Sequence, residues 1–394
     1  MNKFFLNLGS QPLANNYLNK YNSKQIKYYL RLYFNTKTKL VSISKRIPSE
    51  RMFNNSYPYK SSMSKTMRKS FYKLSILIKK KFNPRILLEI GSNDGALLSN
   101  FNKKRVIGVE PCSNLAKITK KKGYKIFNNY WNTQLAKKIK NRYNNIDLIY
   151  SANTLTHISD LDNVFHSIKN VLSDNGILII EDPSLLECIK KTSYDQFYNE
   201  HIYVFSALSV KNLLKKFQLE IFNIENLNTH GGSLRYFIKK TKNKNIKINN
   251  SVKKQLDNEI KFDLHKLISY KKFAKSTIES KKKLIKMFSK LKSKKKKIIG
   301  YGATAKATTI LNYCNLDEKF LEFFVDTTPD KANKYMPGKN IKIFKYHKSL
   351  FKNIDYVFLG AWNFKKEIFN KEKKLINSGV KFITHIPTPR IINK

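Results

Sequence analysis

One stretch decides the fold of this 394-residue chain: Leu87-Leu88-Glu89-Ile90-Gly91-Ser92-Asn93-Asp94-Gly95-Ala96-Leu97-Leu98. An apolar run, a turn with two glycines and a second apolar run predict a strand, a tight loop and the start of a helix. Because glycine lets the backbone approach a ligand closely, the loop indicates a cofactor site. Its E-x-G-x-x-x-G spacing differs from the G-x-G-x-x-G spacing of nicotinamide enzymes. A glycine turn without any ligand is the alternative interpretation.

The next predicted strand ends in an acidic residue. The apolar run Val106–Val109 is followed by Glu110 and Pro111. Glu110 comes 19 positions after Gly91, and in a β-α-β unit this spacing brings a carboxylate to the ribose hydroxyls of a nucleotide cofactor. A solvated surface glutamate is the alternative.

Apolar strands alternate with helices through the centre of the chain. Residues 147–150 and 176–181 predict strands, and residues 161–172 predict a helix between them. This alternation predicts an α/β fold with a doubly wound parallel sheet, in which ligands bind at the carboxyl ends of the strands. The candidate cofactor-binding residues are Glu89, Gly91, Ser92, Asp94, Gly95, Glu110, Pro111 and Asn153.

The glycine loop and its leading glutamate resemble the first motif of the class I methyltransferases. The resemblance implies a methyltransferase core over residues 82–245. It also implies S-adenosylmethionine as the cofactor.

The chain carries a large excess of positive charge. Lys and Arg number 77 and Asp and Glu number 27, so the formal net charge is +50. A nucleic-acid partner is one interpretation, and an RNA methyltransferase is therefore an alternative function. The lysines are spread along the whole chain without an arginine-rich tract, so we expect solvated faces and no nucleic-acid partner. The positive field favours an anionic substrate such as a nucleotide diphosphate.

Three cysteines, Cys112, Cys188 and Cys314, lie far apart and show no C-x-x-C spacing. They predict neither disulfides nor a metal site and are typical of a reducing compartment. The first residues are too briefly apolar for a signal peptide, and no apolar run has the length of a membrane span. We therefore expect a soluble, cytoplasmic protein without a membrane partner, present as a monomer or a weak dimer.

Composition and periodicity divide the chain into parts on either side of the core. Residues 1–81 form a small N-terminal domain that ends in a helix predicted over 64–81. Residues 246–296 are rich in lysine and predict one or two linking helices. Residues 297–394 are interpreted as a C-terminal Rossmann-like α/β domain.

The C-terminal domain opens with a second glycine turn, Ile298-Ile299-Gly300-Tyr301-Gly302-Ala303-Thr304-Ala305-Lys306. The turn matches G-x-G-x-x-A, and Asp326 ends the next predicted strand, so an NAD-dependent oxidoreductase is a rival hypothesis. Backbone amides at a helix start bind the phosphate of any nucleotide, and Lys306 adds a positive charge. Trp362 is either a ring that stacks on a base or sugar, or a core aromatic residue. The candidate substrate-binding residues here are Gly302, Ala303, Lys306, Trp362 and Asn363.

A possible acid–base cluster follows the strand predicted over 176–181. Tyr198 and His201 are three residues apart, so one helical turn would place both on the same face, and Glu200 precedes the histidine. Histidine titrates near neutrality and is a common general base, while a tyrosine hydroxyl can stabilise an oxyanion. A helix that packs an aromatic ring and a hydrogen-bonded histidine is the alternative. His157 either approaches the same pocket or caps a helix.

Six motifs occur in an order that resembles the sugar-nucleotide C-methyltransferase family over nearly the whole chain. They are Gly9-Ser10-Gln11-Pro12-Leu13-Ala14-Asn15, Tyr57-Pro58-Tyr59-Lys60-Ser61-Ser62, the loop from Glu89 to Gly95, Tyr194-Asp195-Gln196 with Glu200-His201, Thr229-His230-Gly231-Gly232-Ser233-Leu234-Arg235, and Gly300-Tyr301-Gly302-Ala303 with Lys306.

The resemblance implies a nucleotide-diphosphate keto-deoxysugar as the substrate. A histidine base would remove the proton next to the ketone, and the resulting enolate carbon would take the methyl group of S-adenosylmethionine. The C-terminal domain would help to hold the nucleotide sugar. The implied catalytic residues are His201, Glu200, Tyr198, His157 and Tyr59, and Tyr57 is a candidate substrate-binding residue.

The chain departs from the family at its N-terminal domain. Relatives usually bind a structural zinc there through four cysteines, but residues 1–81 contain none. We predict no zinc, because a closed structural site needs four ligands. A binding protein that descended from such an enzyme and lost its activity is a further hypothesis.

Overall fold

A computed structural model describes residues 1–44 and 47–392. The N-terminal region contains β1 Asn2–Pro12, β2 Lys27–Asn35, β3 Val41–Ile43, α1 Ser49–Met52 and α2 Lys65–Lys81. The helix predicted over 64–81 is confirmed as α2. Ser64 is its N-cap, since the hydroxyl accepts a hydrogen bond from the Met67 amide at 3.2 Å.

The central region forms the predicted doubly wound sheet. Its elements are β4 Leu87–Ile90, β5 Val106–Val109, α3 Ser113–Lys121, β6 Lys125–Phe127, α4 Thr133–Tyr143, β7 Ile146–Ala152, α5 Leu161–Val171, β8 Leu172–Pro183, α6 Leu185–Lys190, β9 Tyr203–Val204, α7 Ala207–Lys215, β10 Leu219–Leu227 and β11 Ser233–Lys240. Seven strands pair in the order β10-β11-β8-β7-β4-β5-β6. β4 to β8 run parallel, whereas β11 is antiparallel to both of its neighbours.

The strand order reverses between β4 and β7, and this switch point opens the crevice where ligands of such sheets bind. All four residues of β4 are buried, as expected for a strand with helices on both faces. Glu89 is the one charged residue among them. The apolar run therefore predicts the strand, and the buried carboxylate within it indicates a ligand site at this crevice.

The lysine-rich segment forms two helices, α8 Asn250–Lys261 and α9 Leu267–Ser293. α9 packs on the N-terminal sheet through Tyr270, whose ring stacks on Phe34 at 4.3 Å between centroids. That sheet has the order β1-β2-β3-β9, so its last strand comes from the central region. Val41 of β3 pairs with Val204 of β9.

The C-terminal domain contains a third sheet, of six strands. Its elements are β12 Ile298–Tyr301, α10 Ala305–Tyr313, β13 Phe324–Asp326, β14 Ile343–Lys345, β15 Tyr356–Leu359, α11 Lys365–Lys371, α12 Lys373–Asn377, β16 Lys381–Thr384 and β17 Arg390–Ile392. The order is β14-β13-β12-β15-β16-β17, and only β17 is antiparallel to its neighbour. Over residues 1–44 and 47–392, no helix is both long enough and apolar enough to cross a membrane.

Candidate active site

A cavity of about 480 Å³ lies between the carboxyl ends of the central strands and the C-terminal domain. Its walls come from the N-terminal region, the central sheet and the second glycine turn. The predicted site residues that line it are Tyr57, Tyr59, Glu89, Gly91, Ser92, Glu110, Pro111, Asn153, His157, Tyr198, His201, Gly302, Lys306 and Asn363.

Five predicted site residues are not among those that line the cavity: Asp94, Gly95, Glu200, Ala303 and Trp362. Asp94 is buried and accepts hydrogen bonds from the Ser61 hydroxyl at 3.0 Å and the Ser62 amide at 3.2 Å. It therefore anchors the segment that follows Tyr59.

The first glycine loop passes very close to Thr154, which is possible because Gly91 has no side chain. Its φ is +76°, and a Cβ atom there would lie 2.1 Å from Oγ1 of Thr154. The Gly91 amide donates to the Val109 carbonyl at 2.8 Å, which ties the loop to β5. Both the conformation and the close approach require glycine.

Two buried carboxylates flank this loop. Glu89 is 4% exposed, and within the part of the chain that the structure describes its Oε2 has no hydrogen-bond partner. Burial, with the Glu110 charge adding to it, raises the pKa of Glu89 well above its usual value. Glu110 accepts the Asn93 and Cys112 amides, each at 2.8 Å, and each oxygen keeps a second lone pair. An ammonium group and ribose hydroxyls, both present in S-adenosylmethionine, are the donors that such carboxylates lack.

His201 is held as a neutral imidazole. Nδ1 lies 2.7 Å from the Gln196 carbonyl, which can only accept, so the hydrogen is on Nδ1. Nε2 then accepts from the Tyr198 hydroxyl at 2.6 Å. Burial, and next the positive potential of His157 and Lys306, hold the pKa of His201 well below its usual range.

The interpretation of Tyr198 and His201 as one helical turn is wrong, because residues 197–201 form no helix. A single 3-10 turn ends at Gln196, and the chain then bends so that His201 returns to the Gln196 carbonyl. The two side chains still meet, because a tight turn, closed by the His201 amide donating to the Tyr198 carbonyl at 2.9 Å, brings them together.

His157 extends this pair into a column of rings. Its imidazole stacks on His201 at 5.1 Å between centroids and on Phe53 at 5.2 Å on the other face. Burial lowers the pKa of His157 to about 4. Two neutral imidazoles therefore lie side by side at the cavity wall.

Glu200 does not contact the His201 ring. Its carboxylate accepts the Asn15 amide at 2.8 and 2.9 Å and the Tyr57 hydroxyl at 2.9 Å. Burial raises the pKa of Glu200 to about 7, although the hydrogen bonds from Asn15 and Tyr57 oppose the shift. Glu200 thus connects the N-terminal region to the segment that carries Tyr198 and His201. The residue that orients the imidazole of His201 is Gln196.

Lys306 presents a buried positive charge to the cavity. It lies in the first turn of α10, is 8% exposed, and makes no hydrogen bond with the residues that the structure describes. Burial lowers its pKa, and the Asp195 carboxylate partly offsets this. An anionic ligand at this helix start would meet both the ammonium group and the helix dipole.

The second glycine turn is closed by the protein itself. Oδ2 of Asp326 accepts the Ala303 amide at 2.8 Å, and Oδ1 accepts the Thr328 amide at 2.8 Å. The Ala303 carbonyl accepts from the Tyr17 hydroxyl at 2.6 Å. In a dinucleotide site the carboxylate at this position would bind ribose, whereas here it holds its own loop.

Trp362 is a core residue and not a stacking platform at the cavity surface. It is 9% exposed, and its indole N–H donates to Asp195 at 2.5 Å. A Cβ atom on Gly231 would lie 2.3 Å from the Trp362 ring, so the indole packs directly under that glycine.

No group of three His, Cys, Asp or Glu residues in the described chain could hold a metal ion. The three cysteines are free and buried.

Two family models match the chain in succession. A methyltransferase domain matches residues 59–224, and a C-methyltransferase C-terminal domain matches residues 228–387. The chain is a class I S-adenosylmethionine-dependent C-methyltransferase. The second match includes the glycine turn at Gly300–Ala303, which therefore belongs to a C-methyltransferase domain, and the oxidoreductase hypothesis is wrong.

The C-methyltransferase NovU of Streptomyces niveus is 28% identical over 310 residues, which are 78% of this chain and 74% of NovU. Among solved structures, an S-adenosylmethionine-dependent methyltransferase from Clostridium acetobutylicum is 15% identical, with a TM-score of 0.33 over 44% of this chain and 92% of that one. Magnesium protoporphyrin IX methyltransferase from Synechocystis, with bound SAH, is 10% identical, with a TM-score of 0.34 over 44% and 83% of the two chains.

Sequence reasoning gave no role to several residues that lie in or next to the candidate site. They are Asn15, Asp195, Gln196 and His230. All four lie inside the motifs quoted for the family resemblance, which was the signal that pointed to them. Their partners come from distant parts of the chain, so only the fold reveals what they bind.

Proposed function

We propose that this C-methyltransferase methylates the carbon next to the ketone of a nucleotide-diphosphate deoxysugar, with His201 as the base. The proposal is supported by one observation above all: a neutral imidazole at the wall of a cavity that also contains a cofactor loop and a buried lysine. About 480 Å³ is within the usual range of ligand cavities. Lys306 and the start of α10 suit the diphosphate of such a substrate.

The base must take a proton from carbon, which is a poor acid unless a ketone is adjacent. We propose that the C–H bond breaks, the proton moves to Nε2 of His201, and the electron pair moves to the ketone oxygen. Because the Gln196 carbonyl fixes the hydrogen on Nδ1, Nε2 carries the lone pair. The imidazolium that forms is stabilised by that same hydrogen bond.

Tyr198 has two successive partners in this proposal. Without a substrate its hydroxyl donates to Nε2 of His201. When substrate binds, the hydroxyl would turn to the ketone oxygen and so free Nε2, and its hydrogen bond would strengthen as that oxygen becomes an enolate. Tyr59 and His157, both at the cavity wall, would flank the substrate oxygens.

S-adenosylmethionine, when bound, supplies an electrophilic methyl group on a sulfonium centre. We propose that Glu110 accepts the ribose hydroxyls and that Glu89 faces the ammonium group. The Gly91 loop would lie against the cofactor backbone, and Asn153 would close the other side. These residues align the donor, which is the main requirement of methyl transfer once the carbon is nucleophilic.

The test is incubation with S-adenosylmethionine and a panel of nucleotide-linked keto sugars, followed by mass spectrometry. We expect one sugar nucleotide to gain one methyl group, and His201→Ala to abolish the product while S-adenosylmethionine affinity by calorimetry stays within about twofold. If no keto sugar gains a methyl group but RNA does, with binding that weakens steeply as salt rises, the RNA methyltransferase alternative replaces this proposal.

A further inference from the structure

The loop Thr229–Gly232 reaches the cavity, but the reaction steps proposed above give it no role. His230 lines the cavity and adopts φ +53°, in the left-handed region that a residue with a Cβ atom seldom occupies. Asn153, across the cavity wall, has φ +49°. Such backbone strain persists where the surrounding structure enforces it, and it concentrates at functional sites.

These two strained residues bind each other. Nδ2 of Asn153 lies 3.4 Å from Nε2 of His230. Since an amide nitrogen only donates, Nε2 accepts, and the hydrogen of the imidazole is on Nδ1. In residues 1–44 and 47–392 no group pairs with that Nδ1–H, although the residue faces the cavity.

Gln196 couples His230 to His201. The side-chain amide of Gln196 donates to the His230 carbonyl at 2.5 Å, and the main-chain carbonyl of Gln196 accepts from Nδ1 of His201 at 2.7 Å. One residue thus holds the imidazole of His201 and the main chain of His230. His201 and His230 line the same cavity and are therefore connected through Gln196.

His230 is a neutral donor and not a cation. Burial, and next the Lys306 charge, lower its pKa to about 3. A neutral imidazole N–H can stabilise a developing oxyanion without taking up a proton itself. It would also not compete with His201 for the proton of the substrate.

We propose that His230 is a further catalytic residue, which donates its Nδ1–H to the enolate oxygen formed when His201 removes the proton. The inference rests on the proposed function, since it needs a ketone substrate. The electron pair of the broken C–H bond ends on that oxygen, and His230 contributes a hydrogen bond only. Asn153 keeps Nε2 occupied, which holds the donor in the required tautomer.

The experiment measures exchange of the substrate proton next to the ketone in deuterated water without a methyl donor, and then methyl transfer. Two variants suit the left-handed backbone at this position, His230→Asn and His230→Gly. His166→Asn, at an exposed histidine of α5, is the matched control.

We expect both His230 variants to lose about 10²- to 10³-fold in the rate of proton exchange and in kcat, with S-adenosylmethionine affinity unchanged. Added imidazole should restore part of the rate of His230→Gly.

The outcomes separate the two proposals. If the wild type exchanges and methylates while both His230 variants keep its rates, His230 has no catalytic role and the inference is overturned. A loss of rate that imidazole does not restore, together with a lower melting temperature, would assign His230 a purely structural role and also overturn it. If the wild type exchanges no proton of any keto sugar, the proposed function itself fails.

Discussion

The indole N–H of Trp362 donates to the carboxylate of Asp195 at 2.5 Å, and this bond joins the C-terminal domain to the segment that carries His201. His385, also from the C-terminal domain, lies 3.4 Å from the same carboxylate oxygen. Asp195 is fully buried, and the His385 charge interaction holds its pKa below the usual value against the effect of burial. The two domains therefore share one buried polar cluster directly behind the cavity.

Trp362→Phe should weaken this junction. Phenylalanine keeps an aromatic ring but lacks the outer part of the indole that packs under Gly231, and a buried oxygen of Asp195 loses its donor. We expect a loss of about 1–3 kcal/mol in unfolding free energy and a lower kcat, because the segment before His201 loosens. Chemical denaturation and turnover measure both. S-adenosylmethionine affinity is the internal control, and a variant that keeps wild-type stability would show that the bond is dispensable.

Gly91→Ala should disrupt the cofactor loop. The new Cβ would lie 2.1 Å from Thr154, on a backbone with φ +76°. Gly379→Ala is the matched control, because its φ is +91° and nothing lies within 4 Å of the added Cβ. Both variants carry the left-handed penalty of about 1–2 kcal/mol, but only the first carries the clash. Calorimetry with S-adenosylmethionine should show at least about tenfold weaker binding for Gly91→Ala alone; equal affinities would remove the loop from the cofactor site.

Glu200→Gln should change how stability depends on pH. The pKa of Glu200 is raised to about 7, so the folded state resists its ionisation more than the unfolded state does. The stabilisation is complete below the unfolded pKa of about 4.5 and is lost as pH rises towards 7, by about 3 kcal/mol in total. The glutamine variant should lack this loss. Glu50→Gln, at an exposed position, is the control. Parallel curves for the wild type and Glu200→Gln would contradict the shift.

Much of the fold follows from local pattern. β4 is an uninterrupted apolar run with one acid, and the alternation of strands and helices fixes the doubly wound sheet. The sequence contains no local signal for β9. This strand is two residues long, belongs to the central region of the chain and pairs with β3 of the N-terminal sheet. Its pairing depends on a partner about 160 residues away, and sequence periodicity does not report such contacts.

The site was predictable in its residue types but not in their partners. Glu89, Glu110 and His201 all line the cavity. Glu200 directly precedes His201 in the sequence, but the side chains of consecutive residues point in different directions. The structure pairs Glu200 with Asn15, 185 positions earlier in the chain. Trp362 likewise bonds Asp195, 167 positions earlier, and so leaves the cavity surface.

The N-terminal sheet should not depend on a metal ion. Its strand β3 pairs with β9, and Phe34 and Phe5 both pack on Tyr270 of α9. Apolar burial of this kind supplies the stability that zinc gives to small domains without a core. We expect the same melting temperature with a chelator, with added zinc and without either. A melting temperature that falls when the chelator is added would contradict this expectation.

His201 should give a pH–rate profile without the acidic fall of an ordinary histidine. Because burial holds its pKa well below the usual value, the imidazole stays neutral as pH falls through 6.5, where an ordinary histidine would be half protonated. We expect kcat to change little between about pH 6 and 8, and to fall only at more acidic pH.

The profile is measured in Glu200→Gln as well, so that titration of Glu200 is not mistaken for that of the base. Tyr198→Phe removes the hydroxyl that bonds Nε2 and should lower kcat by about 10- to 100-fold at every pH in this range, with His201→Ala lower still. A fall in kcat centred near pH 6.5 in both backgrounds would show that the base is a histidine in contact with water and not the buried imidazole of His201.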